Sequence, residues 1–217
     1  MLIFASLSRQ FLKYFLGYHH VFELINFLNV NYDGSIYTWY STVVLLFSSI
    51  LLATIRFAKI KAGASNVIYW TVLSVVFLFL SLDEASGIHN IAFDFLFTNQ
   101  HYHFSWVIPG AIFTIIFALS YLKFLFNLPP KTRNLFLFAG LIFVSGSIGL
   151  ETIANEYVGL GKDAYLKNSY DPHGITYAVI STFEEFLEMI GIVIFIYALI
   201  DYISAYITRE VILKIEN

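Results

Sequence analysis

Residues Ser181 to Gly191 read STFEEFLEMIG, three glutamates (Glu184, Glu185 and Glu188) inside a segment otherwise apolar enough to cross a membrane. At the centre of a bilayer an acidic residue costs roughly 2.5–3.5 kcal/mol on insertion scales, whereas each large aliphatic residue contributes only about 0.3–0.6 kcal/mol in favour. Three acids therefore roughly cancel the apolar residues around them. The helix stays in lipid only if these carboxyls turn into the protein and meet protons, a cation or hydrogen-bond donors.

The composition makes the same demand of the whole chain. Its 217 residues are 59% hydrophobic and 19% aromatic, and the charged fraction, 12%, is about half that of ordinary soluble domains. Mean hydropathy is +0.74. The expected fold is an all-α integral membrane protein, a polytopic helical bundle forming one transmembrane domain over 1–217. A net charge of -3, without a basic run, gives no reason to expect a nucleic-acid partner. The absence of cysteine excludes disulfides, thiolate metal sites, catalytic thiols and iron–sulfur clusters, so any metal must be held by oxygen and imidazole. The opening MLIFASLSRQ lacks the basic, apolar and small-residue order of a signal peptide and is expected to stay in the mature chain.

Hydropathy places five spans at about 36–60, 66–92, 104–126, 134–157 and 175–200. Ahead of them, Arg9, Lys13, His20 and Glu23 recur along one side of an amphipathic helix within 1–30, which lies in the interface or crosses as a sixth span. Arg56, Lys59, Lys61, Lys123, Lys131, Arg133, Arg209 and Lys214 all fall on one side of this topology. The positive-inside rule makes that side the cytoplasm and 201–217 a cytoplasmic tail, in a bacterial inner or plasma membrane. Trp39, Trp70 and Trp106 fall near span ends, where interfacial aromatics belong.

Orientation brings three motifs to one depth. Asp83 and Glu84 (in SLDEASGIHN), Glu151 (in GSIGLETIANE) and the three glutamates of the fifth span are all expected in the outer half of the membrane. At ~100° per residue, Tyr177, Ser181, Glu184 and Glu188 share one side of the fifth span, with Glu185 at its edge. Gly140, Val144, Ser147, Glu151 and Asn155 share one side of the fourth. Asp83, Gly87, Asn90 and Asp94 share one side of the second, with Glu84 adjacent; His89 points away from them unless the helix is disturbed near Gly87. The first and third spans carry almost no ionisable residues before their ends and are expected to face lipid. Ser145 and Gly149, four apart, suit a close helix crossing.

Six carboxyls at one depth, with no Lys or Arg beside them in these spans, cannot all be ionised and unpaired. Carboxylates suit calcium, magnesium or manganese; with imidazole they suit iron, manganese or zinc. The expected site is therefore a divalent metal centre drawn from Asp83, Glu84, His89, Glu151, Asn155, Glu184, Glu185 and Glu188. A metal there could polarise a lipid carbonyl or phosphoryl oxygen, with Glu184 or Asp83 as base, which would make the protein a metal-dependent membrane enzyme. The alternatives are a proton or cation translocator, a membrane subunit or sensor of a larger complex, and a network of neutral acids that holds helices together. There is no His-Glu-x-x-His, no Glu-x-x-His and no haem, flavin or nucleotide signal, and the fifth span has no lysine to carry retinal. The expected partners are membrane lipids and a second copy or a larger membrane complex.

Overall fold

The computed structural model describes residues 34–88, 107–154 and 172–207, together with Ser8; over 172–175 it describes the backbone alone. The amphipathic N-terminal helix and its sixth crossing lie outside these residues. The described chain forms five helices long and apolar enough to cross a membrane: α1 (Ile36–Lys61), α2 (Val67–Ser86), α3 (Val107–Asn127), α4 (Pro130–Ala154) and α5 (Thr176–Ile207, its backbone helical from Pro172). Among the described residues there is no strand. This is a multi-pass helical membrane bundle.

α1 starts where Ser35 caps it, its side chain accepting the Thr38 N–H at 3.2 Å. It ends with Lys59 and Lys61 in the last turn, where cations complement the helix dipole. After a short link α2 runs back along it, joined by polar contacts spread over the whole seam. Ser81 Oγ donates to the Thr42 carbonyl at 2.9 Å, Ser49 Oγ to the Ser74 carbonyl at 2.7 Å and Arg56 Nε to Thr71 Oγ1 at 2.9 Å. In hydrocarbon each such bond contributes about 0.6 kcal/mol on average, enough in series to fix the register of two otherwise featureless helices.

The helix of the second span breaks inside the expected bounds, whose end near 92 lies outside the described residues. Gly87 adopts the left-handed conformation at φ 59° and gives its N–H to the Asp83 carbonyl at 2.7 Å, so α2 stops at Ser86. Hydropathy averages over such a stop; the glycine makes it.

α4 and α5 pack antiparallel and very closely. A Cβ on Gly146 would lie 2.7 Å from the Glu184 carbonyl oxygen, and one on Gly191 would lie 2.9 Å from the Phe143 backbone nitrogen. These two glycines make the crossing, not Ser145, which is exposed, or Gly149, which has open space around its Cα. Gly146 continues the buried stripe of Thr132, Phe136 and Ala139 at ordinary helical spacing, and the π-helical turn over Ser145–Leu150 begins beside it, with Ser147 buried as well. Gly140, expected on that side, is exposed. Lys131 and Asp201 pair at 2.5 Å and join the start of α4 to the end of α5.

Two expectations about span faces change. α3 does present mostly exposed apolar residues, with Val107, Tyr121 and Phe124 buried. α1 faces lipid on one side only: Val43, Leu46, Phe47, Ile50 and Phe57 are exposed, while Tyr37, Ser41, Leu45, Ser48, Leu52, Ile55 and Lys59 recur every three or four residues and are buried against α2 and α5. Trp70, placed at an interface by sequence, is fully buried in the main core with Leu52, Ile55, Phe124, Phe136 and Leu199; Trp39 is exposed as expected.

Alternation of helix direction sorts the charges. Arg56, Lys59, Lys61, Lys123, Lys131 and Arg133 gather at one end of the bundle, the basic end, while Asp83, Glu84, Glu151, Glu184, Glu185 and Glu188 lie in the opposite half.

Candidate functional site

α5 supplies the centre of the acidic half. Its inward side buries Tyr177, Ala178, Ser181, Thr182 and Glu184, with Glu185 and Glu188 half-buried beside them. Glu184 and Glu188 are four apart and therefore stack on one face of the helix. Glu184 is 8% exposed, and its carboxyl is hydrogen-bonded to that of Glu151 on α4. Two carboxyl groups joined in this way share a proton, because two carboxylates have only acceptors to offer. Glu185 and Glu188 in turn feel Glu84 from the last turn of α2 and Glu151 from α4. Five of the expected residues, Glu84, Glu151, Glu184, Glu185 and Glu188, thus belong to one electrostatic cluster drawn from three helices.

Asp83 is half-buried in the same final turn of α2, one residue before Glu84, and its carbonyl receives the Gly87 cap. His89 and Asn155 lie outside the described residues. So do Asn90, Asp94 and the histidines at 101 and 103.

The backbone around the cluster is shaped for it. Glu151 follows directly on the π turn of α4, a distortion that frequently marks functional positions because it re-aims the residues beside it. At Gly146 the missing side chain lets the α4 backbone rest against the Glu184 carbonyl, Glu188 Cγ and Leu187 Cβ. Three neighbouring hydroxyls are turned away from the acids: Ser147, Thr152 and Thr182 give their single hydrogens to the carbonyls of Phe143, Ile148 and Ala178.

One member came as a surprise to sequence reasoning. Tyr37, 4% exposed on α1, donates its phenolic hydrogen to the Glu185 main-chain carbonyl at 2.8 Å and lies in hydrogen-bonding reach of the Glu185 carboxyl and of Ser41. Its signal was present in the spacing Tyr37, Ser41, Leu45, Ser48, Leu52, a buried stripe on a helix that ionisable residues alone consign to lipid.

A family model described as "Domain of unknown function (DUF8692)" matches residues 4–202. The chain belongs to this family. No curated protein and no solved structure matches it. The matched stretch takes in every residue of the cluster, from Tyr37 to Glu188.

Chemically, the cluster is rich in oxygen acceptors and needs positive charge or shared protons to exist in hydrocarbon. Among the described residues no group of three or more His, Asp or Glu side chains is arranged to hold a metal ion as it stands. The cluster is also closed toward the basic end. From Met189 to Ile200, α5 has no acid, base or histidine. Phe195 stacks on Phe77 at 4.6 Å and meets Phe136 at 4.7 Å, while Trp70 lies against Tyr202 at 5.1 Å. These rings form an aromatic floor beneath the acids.

Proposed function

We propose that the protein binds a cation at this carboxyl cluster from one face of the membrane and does not pass it to the other. The observation that carries the reading is the convergence of Glu84, Glu151, Glu184, Glu185 and Glu188 above a floor of packed aromatic rings. A conductor needs a second set of polar groups leading onward, and the described part of the bundle offers apolar packing there instead.

The occupant is a divalent metal ion that enters as protons leave. The carboxyl–carboxyl hydrogen bond between Glu151 and Glu184 describes the proton-loaded form; losing that shared proton frees oxygen ligands for a hard cation such as magnesium, calcium or manganese. Metal binding of this kind draws the acids into a tighter shell than the proton-loaded form requires. The basic end faces the cytoplasm by the positive-inside rule, which opens the site to the outer face.

Metal analysis of the purified protein by inductively coupled plasma mass spectrometry tests this, beside a Glu185→Gln/Glu188→Gln double variant. Near-stoichiometric divalent metal in the wild type, lost in a variant that remains folded, is the expected outcome. No metal in either protein, after chelator-free purification and reloading with magnesium, calcium and manganese, would reduce the cluster to a set of protonated acids.

A further inference from the structure

We propose that Tyr37 is a positioning residue of the acidic site, completing it from a fourth helix by fixing Glu185. This rests on the cation-site reading above and extends it to a residue that carries no charge.

Tyr37 sits in the first turn of α1, which Ser35 caps by accepting the Thr38 N–H at 3.2 Å, so its backbone is held before its side chain reaches across. The ring is 4% exposed and the hydroxyl spans to α5, where it donates to the Glu185 carbonyl at 2.8 Å. That carbonyl is not short of a partner, since residues inside a helix already bond to the amide four positions on. A phenol spent on a satisfied carbonyl is therefore better explained by what else it reaches. The same oxygen is within hydrogen-bonding reach of the Glu185 carboxyl, and Ser41, one turn along α1, steadies it from the other side.

The facing groups come from every helix of the site: Glu84 on α2, Glu151 on α4 and Glu184 and Glu188 on α5. All of them are acids. The phenol has one hydrogen, which rests on the Glu185 carbonyl and can turn to the neighbouring carboxylate, while its oxygen can accept from the carboxyl in the protonated form; it brings no positive charge that would compete with a cation. Its placement also has a geometric effect. Glu185 is at the edge of the α5 face shared by Glu184 and Glu188, so its carboxyl needs a guide to turn toward them, and the phenol supplies one from the open side.

The test is Mn2+ binding to the full-length protein in detergent, followed by electron paramagnetic resonance of the bound ion, for wild type and Tyr37→Phe. Phenylalanine keeps the ring and removes only the hydroxyl. The expected result is about 3- to 10-fold weaker Mn2+ binding, the equivalent of one lost hydrogen bond, together with a changed zero-field splitting as Glu185 shifts in the coordination shell. A Tyr37→Phe protein with wild-type affinity and an unchanged spectrum would overturn the proposal while leaving the cation site standing. If wild type binds no Mn2+, the cation site itself falls and this role with it. Should Tyr37→Phe fail to fold, Ser41→Ala decides: a smaller loss of affinity with a spectral change supports the assignment, and no change in either overturns it.

Discussion

Two buried threonines show how differently one side chain can act in this bundle. Thr132 and Thr182 are each 1% exposed. Thr182 gives its hydroxyl hydrogen to the Ala178 carbonyl at 2.7 Å, whereas Thr132 Oγ1 has no hydrogen-bond partner. A buried hydroxyl left without a partner carries a desolvation cost of about 1–3 kcal/mol that an apolar group of the same shape does not. Thr132→Val is therefore expected to stabilise the protein by about 1 kcal/mol, and Thr182→Val to be neutral or destabilising by up to a similar amount. Thermal unfolding in detergent, followed by circular dichroism, separates the two; a destabilised Thr132→Val would mean that the hydroxyl holds a water. At this scale the sequence was a good guide to acids and a poor one to neutral polar groups. Glu84, Glu151, Glu184, Glu185 and Glu188 could be picked out because a carboxyl in hydrocarbon must have a reason to be there. Tyr37 could not, because a tyrosine near a span end has an ordinary explanation as an interfacial anchor.

The five described spans were legible in number and order, since twenty-odd apolar residues in a row admit little else. Their ends and faces were less so. The stop at Gly87 depends on a single left-handed residue, and the faces of α4 past Gly146 depend on a π turn that adds one residue to a pattern read at constant pitch. The small-residue crossing was expected at the right level but at the wrong residues, because Ser145 and Gly149 lie off the stripe of Thr132, Phe136, Ala139 and Gly146. The crossing predicts opposite outcomes for one substitution made three positions apart. Gly146→Ala places a methyl 2.7 Å from a backbone oxygen of α5, and Gly149→Ala meets nothing within 4 Å. The first is expected to cost about 1–3 kcal/mol by prising α4 from α5, and the second to gain up to about 1 kcal/mol from better helix propensity. Because Gly146 also touches Glu188 Cγ and the Glu184 carbonyl, only the first should weaken Mn2+ binding as well as stability. Loss of binding in Gly149→Ala, or its retention in a destabilised Gly146→Ala, would separate the crossing from the site.

For the molecule as a whole, the governing fact is the separation of charge along the membrane normal. Among the described residues Asp83 and the five glutamates occupy one half of the bundle and the lysines and arginines the opposite end, where Asp201 joins them, with a floor of aromatic rings between. The arrangement serves two ends at once. Basic residues at one end fix the orientation during insertion. Their distance from the cluster leaves its neutralisation to other groups, on the reading proposed above to an exchangeable cation or proton. Lys131 illustrates the point, since its carboxylate partner is Asp201 at the basic end, thirteen residues beyond Glu188 on the same helix. The chain's lack of cysteine makes the orientation directly measurable, because each introduced thiol is the protein's only one. Lys61→Cys lies at the basic end of α1 and Ser86→Cys at the last residue of α2, both exposed. In intact cells a membrane-impermeant maleimide is expected to label Ser86→Cys and to reach Lys61→Cys only after permeabilisation. The reverse pattern would turn the bundle over and open the acidic site to the cytoplasm, where the magnesium and proton supply, not that of the exterior, would determine what the five carboxyls hold.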